Sequence, residues 1–291
     1  IEAQAPYDHE QAEHLARLFR DYLKACRREP LSLSTLPPGR FLMPGDLEGS
    51  PALSFAPIDM PVDALPSGSI GVMMERLYDS YRDKVVGPFF RDHFSMLDRQ
   101  IILVDVLSAL NAGPAAVADL EAALARVLLA FRAGRNSIVS ALFSPRIDRV
   151  MFAATKADHL HHTSHDRLEA ILEVLVDRAM KRVEGTGAKI AVAAIASVRA
   201  TREAGIVERG ATLPTVIGVP EHGQHVGDRV FDGIAEAAIY NGELPENPRD
   251  ALDKGVDVKF PKFRPPLIQR TADGRIPALP HIRLDRAMQF L

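Results

Sequence analysis

Between residues 98 and 205, three short apolar runs, Ile101 to Leu107, Val150 to Ala154 and Ile190 to Ser197, are separated by two helical stretches. No other feature limits the fold as strongly. Strand–helix–strand–helix–strand at these lengths implies parallel pairing with right-handed crossovers and helices laid over the sheet. The runs are nearly continuous in apolar residues, as strands buried on both faces are. Ser108 to Pro114 reads as a turn, and Ala115 to Phe131 as an Ala- and Leu-rich helix stopped by Gly134. The second helix has Thr163 and Ser164 as candidate caps, with Asp166 three residues after Thr163. Its buried stripe is Leu168, Ile171, Leu172, Leu175 and Val176, and Gly185-Thr186-Gly187 ends it.

The flanks differ in character. Residues 8 to 28 place Leu15, Leu18, Phe19, Tyr22 and Leu23 at helical spacing. From Ser32 to Ser69, repeated Pro and Gly predict turns and extended pieces in place of regular structure. Helical spacing resumes over Ile70 to Arg82, and Phe89, Phe90 and Phe94 follow as core candidates. Beyond Thr201 the expectation is a loop-rich extension with one possible strand, Thr215 to Val219. Prolines crowd 261 to 280, and a last helical spacing through Leu284, Ala287 and Met288 follows. The predicted organisation is a helical, loop-rich region at 1–97, an α/β domain at 98–205, and an irregular extension at 206–291.

Composition narrows the functional classes. The 291 residues are 47% hydrophobic and 25% charged, ordinary for a globular chain, and the net charge of −3 comes from well-mixed signs. Neither a nucleic-acid surface nor a polybasic membrane anchor is indicated. The single cysteine, Cys26, permits no internal disulfide and suits a reducing, cytoplasmic setting. No apolar run approaches the ~18 residues of a membrane helix. The chain opens Ile1-Glu2-Ala3, without Met or a signal-peptide pattern, which reads as an internal cut.

Chemistry concentrates where the middle run stops, at Thr155-Lys156-Ala157-Asp158. Ligands of open α/β sheets sit at the carboxyl ends of the strands, so Asp158 stands at a ligand position. The four residues resemble the [N/T]-K-x-D element with which P-loop GTPases recognise guanine. A carboxylate only accepts hydrogen bonds; guanine offers two adjacent donors, its ring N–H and its amine, and adenine does not. Lys156 can lay its stem along the base and send its ammonium to a neighbouring loop. The competing reading makes Asp158 a solvated turn residue that caps a helix. Ala196-Ser197-Val198-Arg199, at the end of the next run, corresponds to the loop that gives such proteins a backbone N–H for the guanine carbonyl.

Other candidates are weaker. G-x-x-x-x-G-K-[ST] occurs nowhere, and Glu184 to Lys189 precedes a strand where a phosphate loop must follow one. Asp105, after four apolar residues, matches either a Mg²⁺-water position or a loop-orienting residue. His159, His161, His162 and His165 lack H-E-x-x-H spacing, a cysteine and an obvious distant carboxylate, which favours polar rim residues over a metal site. No catalytic residue is assignable.

Four segments carry a wider resemblance: Phe41 to Pro51 (FLMPGDLEGSP), Asp98 to Gly113 (DRQIILVDVLSALNAG), Arg146 to His162 (RIDRVMFAATKADHLHH) and Leu279 to Asp285 (LPHIRLD). Together they resemble the YcjX-like family of predicted P-loop NTPases, cytoplasmic, stress-associated proteins with a Ras-like nucleotide domain. The resemblance implies that this chain is the carboxyl-terminal part, with the phosphate loop upstream. It assigns Thr155, Lys156 and Asp158 to the base, and Ser197, Val198 and Arg199 to the adjoining loop. Thr155 stands where Asn is commoner, which bears on affinity more than specificity. The implied function is GTP binding and hydrolysis with Mg²⁺ in the intact protein, this segment selecting guanine. An ATPase of the same family is one alternative. Another is a non-catalytic module that docks an unknown protein partner and keeps a vestigial nucleotide site.

Overall fold

The computed structural model describes residues 2–35, 39–61, 64–93, 97–130, 147–182, 188–208, 210–257, 259–268, 270, 273–275 and 277–291. The expected caps at Gly134 and Gly185-Thr186-Gly187, and the aromatic Phe94, lie outside these residues. Two compact units divide at Leu97 and Asp98. No helix among the described residues is long and apolar enough to cross a membrane.

The first unit, Ile1–Leu97, carries α1 (His9–Cys26), α2 (Gly39–Leu42), α3 (Ile70–Tyr81) and α4 (Gly87–Asp92). Asp8 caps α1 by accepting from the Gln11 N–H at 2.8 Å. One face of α1 is buried through Ala12, Ala16, Leu23 and Cys26, while Leu18 and Tyr22 of the expected stripe are exposed. The Pro/Gly stretch departs from expectation. It holds α2 and the 3₁₀ turns Gly45–Leu47 and Pro51–Leu53. It also supplies Phe41, Leu53 and Phe55 to a core shared with Met74 and Tyr81. A proline-rich segment that buries three large side chains is part of the unit's interior.

The second unit is built on three strands, β1 (Arg99–Val104), β2 (Arg149–Ala154) and β3 (Lys189–Ala194). They pair in parallel in the order β1-β2-β3, with Leu103, Ala153 and Ala193 in line. Alternation on β2 assigns its two faces. Val150, Phe152 and Ala154 enter a core with α5 (Val106–Ala112), α6 (Pro114–Ala130) and α7 (His165–Arg182), where Leu168, Ile171, Leu172, Leu175 and Val176 are buried as expected. Met151 and Ala153 face the other way, toward Ala287 of the last helix. The central strand is thereby covered on both sides, which is what its unbroken apolar run requires.

Strand ends required correction. Ile101 to Leu107 is not one strand, because Asp105 stops β1 and caps α5, so Val106 and Leu107 are helical and the expected turn at 108–114 is largely helix. Ile195 to Ser197 lie beyond β3, with Ala196 bridged to Ile282 instead. Ser164 directly precedes α7, at the end of a 3₁₀ turn, His162–Ser164, that His161 caps by accepting from the Thr163 N–H.

After β3 the chain forms an antiparallel sheet of β4 (Arg202–Glu208), β5 (Ala211–Gly218) and β8 (Ala237–Ile239), and a hairpin of β6 (His225–Val226) and β7 (Arg229–Val230). The position between 205 and 206 falls inside β4. Next come α8 (Pro248–Asp253) and α9 (Leu284–Phe290). Asn111 of α5 ties the proline-rich return to the sheet domain: its side chain donates to the Phe260 carbonyl and accepts from the Phe260 N–H, both at 2.9 Å.

Candidate functional site

The carboxyl ends of the three parallel strands are stitched to one another. Thr155 donates its N–H to the Val104 carbonyl at 2.9 Å, with its hydroxyl near the same oxygen. Ala157 N–H reaches the Ile195 carbonyl at 3.1 Å. Between them Lys156 adopts left-handed backbone geometry (φ 62°), which costs a non-glycine residue on the order of 1 kcal/mol and is concentrated at ligand clamps. This conformation coincides with a specific contact, Lys156 Nζ donating to Asp105 Oδ2 at 2.6 Å. Asp105 also accepts from the Ser108 N–H and hydroxyl. Burial raises its pKa, but the Lys156 charge and the hydrogen bonds from Lys156 and Ser108 outweigh that and hold the carboxyl below its ordinary range. Asp105 is thus held by Lys156 and Ser108 in the manner of a loop-orienting residue.

Asp158 is buried, 3% exposed, so it is no solvated turn residue. Its Oδ2 accepts from the Ala200 N–H at 2.7 Å, and its carbonyl accepts a short hydrogen bond from the Thr201 hydroxyl. Among the described residues none donates to Oδ1, although the side chain lines a cavity of about 540 Å³. That volume suits a small-molecule site. Thr155, Lys156, Ser197 and Val198 line it as well. Neighbouring backbone amides are already used: Ala196 donates to Ile282, Arg199 to Pro280 and Ala200 to Asp158. Among the described residues, no such partner takes the N–H of Ser197 or Val198.

Five of the six expected site residues thus meet at one cavity, and Arg199 does not. Its guanidinium pairs with Glu203 at 3.1 Å, away from the lining. Sequence reasoning missed the opposite wall, where Glu221, Lys262, Phe263 and Pro265 come from the extension. No local motif marks them; they arrive because Glu221 N–H bonds the Lys262 carbonyl and Arg264 N–H the Val219 carbonyl, both at 2.8 Å.

The four histidines separate into different roles. His159 is buried at the cavity, edge-on to Phe263 with ring centroids 5.2 Å apart. Burial, against the pull of Asp158, lowers its pKa to about 4. Uncharged at neutral pH, it offers Asp158 no counter-charge. His165 is buried against the Leu160 carbonyl, and burial lowers its pKa too. His161 and His162 meet Glu203, the distant carboxylate that chain spacing conceals.

The sequence profile of the YcjX-like family, DUF463, matches residues 1–291. The chain belongs to the YcjX-like family. A relative described as Ras-like GTPase YcjX, from Escherichia coli K12, is 36% identical over 297 residues, covering 99% of this YcjX-like chain and 60% of the relative. The protein of the same description from Shewanella oneidensis MR-1 is 32% identical over 262 residues, 87% of this chain and 52% of that one. The YcjX-like chain therefore spans less than two thirds of either relative. Its mixed α/β architecture with a parallel three-stranded sheet is consistent with their Ras-like description.

Proposed function

We propose that this YcjX-like chain forms the base-selecting part of a guanine-nucleotide site, and that the longer protein binds GTP with Mg²⁺ and hydrolyses it. The observation that carries this reading is Asp158: buried, steadied through Oδ2 by the Ala200 N–H, and lining the cavity. A carboxylate at such a place is an acceptor for two adjacent donors. Guanine supplies them, whereas adenine leaves a buried carboxylate unsatisfied at a cost of a few kcal/mol. The uncommitted N–H groups of Ser197 and Val198 suit the guanine carbonyl oxygen. Lys156, anchored by Asp105, lines the cavity, where its stem would cover one face of the base.

The cavity residues are assigned base recognition and not phosphate chemistry. The 291 residues contain no G-x-x-x-x-G-K-[ST], and Asp105 is committed to Lys156 and Ser108. No hydrolytic step is assigned to them. GTPase activity is supported by the description of both relatives. The experiment is steady-state turnover by the full-length protein with Mg²⁺. The reading expects GTP to be hydrolysed in preference to ATP; ATP preferred, or neither cleaved, counts against it.

A further inference from the structure

His161 and His162, which do not line the base cavity, converge with Glu203 near the start of β4. Glu203 Oε2 lies 2.6 Å from His162 Nδ1 and 3.9 Å from His161 Nε2. One ligand atom from each of the three falls within 4.8 Å of the others. Two of the three are also oriented from behind. In the tautomer whose Nδ1–H donates to the Thr163 hydroxyl, 3.1 Å away, in place of accepting from the Thr163 N–H at 3.5 Å, Nε2 is the unprotonated nitrogen on the Glu203 side. Arg199 takes the other carboxylate oxygen, Oε1, at 3.1 Å and leaves Oε2 for the histidines. Outer contacts that fix ligand orientation in this way are what metal-binding imidazoles and carboxylates need. The His161 and Glu203 side chains are 17% and 24% exposed and His162 is 64% exposed, so the group is sheltered on one side and open to water on the other.

The geometry points to a divalent transition-metal site at these three residues, ligated by Nε2 of His161, Nδ1 of His162 and Oε2 of Glu203, with water in the fourth position and Zn²⁺ the ion that fits. Two imidazoles and one carboxylate are a recurrent Zn²⁺ set, and Mg²⁺ and Ca²⁺ prefer all-oxygen shells. Tetrahedral Zn²⁺ with bonds near 2.0–2.1 Å separates its ligand atoms by about 3.3 Å. The observed 2.6 and 3.9 Å bracket that value and the two imidazole nitrogens lie within 4.8 Å of each other, so side-chain shifts of about 1 Å close the site. Without metal, the His162–Glu203 hydrogen bond holds the same pair together, and the ion replaces its shared proton. The site joins the turn after β2 to β4, segments already linked by Ala200 and Thr201 bonding Asp158.

The test strips the full-length protein with a chelator and titrates it with Zn²⁺ against a chromophoric competitor, with and without excess Mg²⁺. The expected result is one Zn²⁺ per chain, bound at micromolar or tighter affinity, not displaced by Mg²⁺, and accompanied by a higher melting temperature. Glu203→Gln, His161→Gln and His162→Gln each weaken binding by at least about tenfold, while His225→Gln, at an exposed position, leaves it unchanged. His162 is exposed, so His162→Gln folds and decides the matter if the other variants are unstable. Absence of Zn²⁺ binding, displacement by Mg²⁺, or equal affinity in wild-type and His162→Gln protein overturns the site.

Discussion

Replacing Asp158 with Asn changes one atom of the proposed recognition and leaves its support in place. The amide oxygen still accepts from the Ala200 N–H, now at 2.7 Å from the carboxylate, so the loop stays seated and the variant folds. What disappears is the charged acceptor pair at the cavity. Two hydrogen bonds to a charged group are worth about 1.5–3 kcal/mol each, and in the variant an amide N–H faces a guanine donor. Even with partial compensation by water the loss is about 3–4 kcal/mol, or roughly two to three orders of magnitude in Kd for GDP. Xanthine carries a carbonyl where guanine carries its amine, so the amide N–H gains a partner there. The variant is expected to prefer xanthosine diphosphate while its weak affinity for ADP stays put. Calorimetric titration of the full-length wild-type and variant proteins with the three nucleotides reads this directly. GDP affinity unchanged to within about threefold in a cooperatively melting variant would refute the hydrogen-bond reasoning.

Two pH-linked predictions follow from the same loop. His159 carries a pKa of about 4 when folded against an ordinary value of 6.5, so the unfolded chain takes up the proton first as the medium is acidified. Stability is then full above about pH 6.5 and falls toward pH 4 by up to roughly 3 kcal/mol, a decline that His159→Phe removes from urea-denaturation curves. Asp105 has its carboxyl held low, so its contribution persists at neutral pH and fades only as the pH drops through a folded value below 3.8. Lys156→Met removes the ion-pair part of that acid dependence and leaves the part held by Ser108. It costs no more than about 1 kcal/mol at pH 7, because the ion pair is more than a third exposed.

The α/β core was legible because its signals are local. Leu168, Ile171, Leu172, Leu175 and Val176 repeat at helical spacing, and the run at Val150 to Ala154 is apolar on both faces because both are covered. Strand ends are obscured for the same reason: Val106 and Leu107 are as apolar as a strand but are buried within α5, and only the Asp105 cap marks the change. Phe41, Leu53 and Phe55 sit among prolines whose composition suggests a surface loop, yet aromatic burial overrides it. At the candidate site, Thr155 to Asp158 stand together in the chain and were found. Phe263 and Lys262 reach the cavity from more than a hundred residues away, and Glu203 meets His162 across 41 residues. Such meetings are set by how the extension returns over the strand ends, which no periodicity records.

In the proposed site a buried Asp158 makes the cavity select guanine. Its most direct measurement is the ratio of GDP to ADP affinity in the full-length wild-type protein, titrated under identical salt and Mg²⁺. GDP is expected to bind at least about a hundredfold more tightly than ADP, as a buried acceptor left without donors demands. Equal affinities would contradict it.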